Sequence, residues 1–312
     1  DIEGVRVPVM NIKGYYEKFC ELETPLLGLI CQSSGIATSA ARIRKIAGKK
    51  QVISFGVRRM HPAISPIIDR SAYIGGFDGV SCVLSAEKLG IEPMGTMPHS
   101  LVIVMGDQVK AWMAFDEIID RDVPRVALCD TYYDEKIEAI MAAESIKNLS
   151  AVRLDTPGSR RGNLNEILRE VRWELDIRNF KNVKLFVSGG IDENSLKKLL
   201  NAPVDGFGVG TSISNAPTID FAMNIVEINK KPVAKRGVFG GEKQAYRCPE
   251  CYEFIVRLTD EEQPECKICG SETEPLLEPL IRNGKIVTKL PSVHEIRKKV
   301  LRELKKVDVE YG

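Results

Sequence analysis

Six short apolar runs punctuate the chain: Gln51 to Phe55, Leu101 to Met105, Arg125 to Cys129, Ala151 to Leu154, Val183 to Val187 and Gly206 to Val209. Helical stretches and turn residues separate them, and runs of this length bounded in this way predict strands. Strands alternating with helices give a parallel sheet covered by helices, closed or open, so the fold class is α/β. The stretches Asp134 to Asn148, Asn163 to Arg178 and Glu193 to Asn201 read as amphipathic helices, with Asp134 near the start of the first. The closed form is favoured by the polar residues. Asp130, Asp155, Ser188-Gly189-Gly190 and Gly210-Thr211 each follow a predicted strand, the end at which a barrel builds its site. After about Ile228 the rhythm changes to Lys- and Glu-rich segments with Pro232, Gly237, Gly240 and Gly241, an exit from the barrel. The opening segment Val5 to Lys13 predicts a strand or two that belong elsewhere.

With 312 residues, 44% of them hydrophobic, the chain can bury one large core beside one or two smaller ones. Forty-four Lys and Arg balance 43 Asp and Glu, a net charge of +1 that provides no drive toward nucleic acid or an anionic membrane. The expected partners are small molecules or another copy of the chain. No apolar run approaches the roughly 20 residues of a membrane span and no basic-then-apolar leader opens the sequence, so a cytoplasmic location is the expectation. The chain begins Asp1-Ile2-Glu3-Gly4 without an initiator Met, which reads as a missing N-terminal piece.

Four cysteines (Cys20, Cys31, Cys82, Cys129) are scattered in apolar segments and read as buried thiols. The other four form Cys248-Pro-Glu-Cys251 and, after fourteen residues, Cys266-Lys-Ile-Cys269-Gly270. Two knuckles of this spacing bring four thiolates into a tetrahedron, the geometry zinc accepts, and four protein ligands leave no open position, so the role is structural. Iron is the other candidate metal. A nucleic-acid ribbon is the functional rival, against which stand Glu250, Glu253, Asp260, Glu261, Glu262 and Glu265.

Two glycine-bearing turns, Ser188-Gly189-Gly190 and Gly206-Phe207-Gly208-Val209-Gly210-Thr211, follow successive strands and could present bare N–H groups to a phosphate. Phe55-Gly56-Val57-Arg58-Arg59-Met60-His61-Pro62 places two guanidinium groups and an imidazole after a strand, donors suited to a pyrophosphate or a carboxylate; a solvated helix start is the alternative. Phe55 stacks on a flat ring or sits in the core. His99 precedes the run Leu101 to Met105, the wrong end of a strand for a site, and is structural or catalytic on equal terms; His61 stands the same way, and His294 reads as surface. Alternation points Arg153 and Asp155 to one side of their strand, where they pair with each other or together meet one ligand carrying a carboxylate and a ribose diol.

Taken in order, Ser34-Gly35-Ile36-Ala37-Thr38, Phe55 to Pro62, Gly75-Gly76-Phe77-Asp78, Gly95-Thr96-Met97-Pro98-His99, Arg153-Leu154-Asp155-Thr156-Pro157, Ser188-Gly189-Gly190 and Gly208-Val209-Gly210-Thr211 resemble nicotinate phosphoribosyltransferase over nearly the whole chain. The cysteine knuckles resemble the C-terminal extension of its archaeal branch. The resemblance implies an incomplete α/β barrel (23–232), an α/β sandwich built from a remnant (1–22) and a return of the chain (233–312), and a knuckle at about 246–272. It implies nicotinate and phosphoribosyl pyrophosphate as substrates, Mg2+ accompanying the latter, and at least a dimer with its active site at the interface. By position, Phe55 stacks on the pyridine ring, Arg153 holds its carboxylate, Arg58 binds near the pyrophosphate or ring, and Asp155 contacts the ribose. Ser188, Gly189, Gly190, Gly208, Gly210 and Thr211 cradle the 5′-phosphate. His99 matches a histidine that some relatives phosphorylate with ATP, which moves it to the site if 95–99 closes the previous strand. Asp78 and Asp130 match acidic or polar active-site positions. Two departures stand out. The family's N-terminal region, with an aromatic that stacks across the dimer, is not found in this sequence. Glu23-Thr24-Pro25 also lacks the Arg of the sister quinolinate enzymes, which argues against a dicarboxylate substrate.

Overall fold

Five of the six apolar runs form strands of one parallel sheet in the computed structural model, which describes residues 2, 4–159 and 162–307. Arg160 and Arg161 lie outside the described residues. The chain divides into two units, one made of Gln32–Ile219 with Val293–Lys305 and the other of Asp220–Ser292 with the residues before Gln32 and with Lys306. The larger unit therefore includes a C-terminal segment that the change of composition near residue 232 assigns to the return of the chain.

The larger unit is built from α1 (Glu23–Ala47, entering from the other unit), β1 (Gln51–Ser54), α2 (Ser65–Ile74), β2 (Gly79–Val80), α3 (Val83–Leu89), α4 (His99–Met105), α5 (Gln108–Ile118), β3 (Arg125–Leu128), α6 (Glu135–Ser145), β4 (Leu149–Leu154), α7 (Leu164–Ile177), β5 (Lys184–Val187), α8 (Glu193–Lys198), β6 (Gly206–Val209), α9 (Thr211–Ser214) and α10 (Val293–Glu303). The strand order is β2-β1-β6-β5-β4-β3, with all neighbours parallel. The first strand thus lies against the last, which curls the sheet into a barrel left open between β2 and β3. Alternation divides the side chains. Val52, Val152, Leu154, Leu185, Val187, Phe207 and Val209 are fully or almost fully buried in the main core that the helices cover. The helices start on capping side chains: Asp134, Asn163 and Asp192 accept from the N–H groups of Ile137, Asn165 and Ser195.

The run Leu101 to Met105 is the exception, and it is helical. An apolar run of five residues fits a strand or a helix equally by pattern. Here Pro98 stands at the N-cap, Gly106 takes the left-handed conformation (φ 71°), and its N–H closes the helix on Val102 and Ile103 carbonyls. Ile103 and Val104 are exposed, as no core strand residue would be. The chain crosses the gap in the barrel by α3, α4 and α5 without adding a strand, which is why the barrel is incomplete. The run Ser34 to Thr38 falls inside α1. A Cβ on Gly35 would lie 2.1 Å from the Pro217 carbonyl oxygen, so this glycine serves close backbone packing.

In the smaller unit β7 (Glu227–Ile228) and β8 (Lys231–Pro232) form a hairpin turned by Asn229 and Lys230 at positive φ, and β12 (Ile281–Arg282) and β13 (Lys285–Ile286) form another turned by Asn283-Gly284. Between them β9 (Lys243–Arg247), β10 (Phe254–Leu258) and β11 (Glu274–Pro275) make an antiparallel sheet of order β10-β9-β11. The strand expected at Val5 to Lys13 does not form: among the described residues before α1, Val5 makes only an isolated bridge with Ile2, and Pro8 has no N–H to give a ladder. No helix of the described residues is long and apolar enough to cross a membrane.

Candidate functional site at the C-terminal mouth of the sheet

Inside the curl, register aligns Ile53 with Gly208, Gly206 with Phe186, and Phe186 with Arg153. The two glycines of β6 leave space for two rings. A Cβ on Gly206 would stand 2.5 Å from the Phe186 ring, and one on Gly208 2.4 Å from that of Phe55. Gly208 thus clears room for Phe55, a steric task distinct from holding a phosphate. The Phe55 and Phe186 centroids are 6.4 Å apart, and the Arg153 guanidinium lies 5.9 Å above the Phe55 ring.

Above this floor the polar residues converge. Arg153 donates from Nη1 to Thr96 Oγ1 and from Nη2 to Asp155 Oδ2 (3.3 Å), while its buried Nε has no partner among the described residues. Burial pulls this guanidinium below its ordinary pKa and Arg58 nearby adds to that, while Asp155 and Asp130 oppose it. Asp155 Oδ1 accepts from the Ser188 hydroxyl at 2.7 Å. Asp130 Oδ2 accepts from the Asp155 N–H (2.6 Å) and lies 2.9 Å from the Thr156 hydroxyl, which also meets Glu135 Oε1 at 2.6 Å. Burial pushes the Asp130 carboxyl above its usual range; Thr156, the Asp155 N–H and His99 pull it back, and the Asp155 charge adds to the rise. Gly189 and Gly190 both take positive φ (83° and 67°), a turn that only successive glycines adopt without strain. Arg58 sits exposed in the short turn after β1, and Gly210 leads into α9, which Thr211 opens.

His99 is at this mouth. It opens α4, with Nδ1 3.1 Å from Thr131 Oγ1 and Nε2 3.6 Å from Asp130 Oδ1 and 3.9 Å from Asp155 Oδ2. The objection that it precedes a strand disappears because the segment that follows it is a helix.

Asp78 is not brought to this group. It lies just before β2, beside Val52 of β1, whose N–H it accepts at 2.9 Å, with the Arg44 guanidinium on Oδ2 and Arg297 of α10 on Oδ1 at 3.0 Å. This is the N-terminal end of the sheet, and the local chemistry is that of a clamp on buried Arg44. Asp78→Ala should cost about 2 kcal/mol, less than a fully buried pair because Asp78 is a third exposed and Arg44 keeps three carbonyl acceptors. Chemical denaturation measures it, and an unchanged midpoint would remove the clamp.

Sequence reasoning missed Thr96, Thr131, Glu135, Glu138 and Phe186. Glu135 and Glu138 carried a signal: with Ala142 they lie on the buried stripe of α6, where a carboxylate needs a partner.

In the smaller unit the four thiols Cys248, Cys251, Cys266 and Cys269 lie within 4.8 Å of one another. Sulfur–sulfur separations of 3.3, 3.5 and 3.8 Å among them approach the ~3.8 Å edge that a tetrahedron of ~2.3 Å metal–sulfur bonds requires. This cluster can hold a metal ion.

The profile described as "Quinolinate phosphoribosyl transferase, C-terminal domain" matches residues 36–224, and the "Nicotinate phosphoribosyltransferase C-terminal domain" matches 243–312. A nicotinate phosphoribosyltransferase of Mycobacterium tuberculosis is 32% identical over 276 residues, covering 85% of this chain and 58% of that protein. One of Bacillus subtilis is 29% identical over 72% of this chain and 46% of its own length. The chain thus spans about half the length of these relatives. The crystal structure of a nicotinate-nucleotide pyrophosphorylase from Pyrococcus furiosus superposes with a TM-score of 0.92 at 54% identity, over 96% of this chain and 76% of that one. Human nicotinic acid phosphoribosyltransferase shares the fold (TM-score 0.65, 21% identity, 91% of this chain and 70% of that one). The family profile spans more than half of the chain and coincides with the barrel and its polar mouth, so the chain belongs to the type II phosphoribosyltransferase family, in the branch described by the quinolinate phosphoribosyltransferase C-terminal domain.

Proposed function

We propose that the chain is a nicotinate phosphoribosyltransferase, joining nicotinate to phosphoribosyl pyrophosphate to give nicotinate mononucleotide and pyrophosphate. The observation that carries this is the side-by-side entry of Arg153 and Asp155 above the Phe55 ring at the mouth of the sheet. A guanidinium matches the carboxylate of nicotinate, a carboxylate the ribose hydroxyls, and an aromatic floor the pyridine ring.

In the reaction the ring nitrogen forms a bond to C1 of the ribose as the C1–O bond to pyrophosphate breaks, and pyrophosphate leaves with the electron pair. The nitrogen is already nucleophilic, so the protein's work is positioning and charge stabilisation. Arg153 and Phe55 orient the ring, Asp155 the ribose, and Arg58 offsets charge on the leaving group together with the Mg2+ that phosphoribosyl pyrophosphate brings. The turns at Ser188-Gly189-Gly190 and Gly210-Thr211 take the 5′-phosphate, with Gly208 beneath them. His99, beside Asp130, is the acceptor if ATP drives the reaction. The donor set of four thiolates suits a structural zinc ion. A homo-oligomer with the site at its interface and a cytoplasmic location complete the proposal.

Pyrophosphate release tests it, with nicotinate, nicotinamide and quinolinate offered separately, each with and without ATP. Release with nicotinate supports the proposal, and a further rise with ATP supports His99 as phosphoryl acceptor. Quinolinate is the second reading because the barrel matches the quinolinate domain profile; release with quinolinate alone would replace nicotinate as the substrate. Release with none would leave a phosphate-binding barrel whose cysteine ribbon recruits a partner.

A further inference from the structure

We propose that Glu138, which touches no substrate, is the positioning residue that sets the surroundings of both ring nitrogens of His99. The proposal rests on His99 being a working group of the site.

Glu138 is fully buried in the first turn of α6, between Glu135 and Ala139 on the face that packs into the core. Its carboxylate accepts from four consecutive backbone N–H groups of the loop after β3. Oε2 takes those of Asp130 (2.7 Å) and Thr131 (3.0 Å), and Oε1 those of Tyr132 (2.7 Å) and Tyr133 (2.9 Å). A surface loop can satisfy such groups with water. Here they converge on one side chain held by a rigid helix, and the loop has no freedom to choose another course.

The first two of those residues are the ones that meet His99 on its two nitrogens. Thr131 Oγ1 lies 3.1 Å from Nδ1, and Asp130 Oδ1, buried with no hydrogen-bond partner among the described residues, faces Nε2 at 3.6 Å. Two carboxylates near Nε2 favour the proton on that nitrogen, which leaves Nδ1 to accept from the Thr131 hydroxyl. Glu138 therefore fixes the tautomer and the orientation of His99 by way of the loop whose four consecutive N–H groups it binds.

Substitution by glutamine separates this from simple filling of space. The shape is kept, but the amide has one acceptor oxygen, and its NH2 would confront two of the four N–H donors. The chain has three histidines, His61, His99 and His294, so the full chain labelled with 15N-histidine resolves each ring in a long-range 1H–15N spectrum. In E138Q the two His99 nitrogen signals should move toward a mixture of tautomers while those of His61 and His294 stay. The kcat with nicotinate should fall by about 10- to 100-fold, as expected for a misplacement near an ångström, with KM for nicotinate little changed because Arg153 is untouched. E138D, which keeps the charge but retracts it, should recover part of both effects, and it supplies the same reading if E138Q does not fold. Unmoved His99 signals in the folded variant would overturn the proposal, as would a loss confined to KM. If the unaltered chain transfers no phosphoribosyl group, the proposed function fails, yet the spectra still decide whether Glu138 controls His99.

Discussion

Arg153→Ala should lower kcat/KM for nicotinate by about 100-fold, close to 3 kcal/mol, while KM for phosphoribosyl pyrophosphate stays within a small factor of its original value. The size follows from where the guanidinium stands. Its side chain is only 12% exposed, on an aromatic floor, with Asp155 and Thr96 as its neighbours. A ligand carboxylate placed there exchanges water for a charge-assisted pair with a guanidinium mostly shielded from solvent, and truncation leaves that carboxylate without its counter-charge. Arg153→Lys should recover only part of the loss, since an ammonium cannot make the two parallel bonds of a planar fork. Steady-state kinetics with each substrate varied in turn distinguishes the outcomes. Equal losses for both substrates would make Arg153 a structural residue that holds Thr96 and Asp155.

Cys266→Ser should release the metal from the smaller unit and melt the sheet of β9, β10 and β11. The apolar residues buried there are few, chiefly Ala245, Tyr246, Ile255 and Val256 with the thiols of Cys248 and Cys266. So small a core does not offset the entropy of ordering the chain, whereas metal binding to four thiolates contributes on the order of 10 kcal/mol. Elemental analysis should fall from one metal per chain toward none. Amide exchange over 243–275 should approach that of an unprotected chain, while β3 to β6 keep their protection. Retained protection in a metal-free variant would mean that the sheet stands without the ion.

The strands were legible wherever a short run was β-rich and followed by a polar residue, because both the period and the chemistry pointed the same way. The helix at 99–105 was not, since five apolar residues satisfy either period and the deciding features were its end groups, Pro98 and Gly106. Those two residues lie in the sequence in plain view, and reading them as caps would have corrected both the strand and the place of His99. The cysteine cluster was legible from spacing alone because four ligands within a short stretch have few ways to meet. Asp78 looked like the other acids because sequence shows neighbours along the chain but not which end of a sheet they occupy; the short β2 and the distant Arg297 decide that. Glu138 was hidden for a related reason, because its four donors belong to a loop whose course the carboxylate itself determines.

The helix α10 joins the rim of the barrel about 220 residues after the groups it binds, with Arg297 donating to the carbonyl of Phe77 and to Asp78 and with His294 3.0 Å from the Tyr73 hydroxyl. At roughly 5–20 residues per second of synthesis, those partners wait some tens of seconds for it. During that time the nascent barrel must hold Arg44 with Asp78 and the carbonyls of Gly48, Lys50 and Gly76 but without Arg297, while the whole cysteine unit is made in between. Assembly of this protein therefore has an order written into its connectivity: the strands of the barrel first, the cysteine unit next, and the fastening of the rim last.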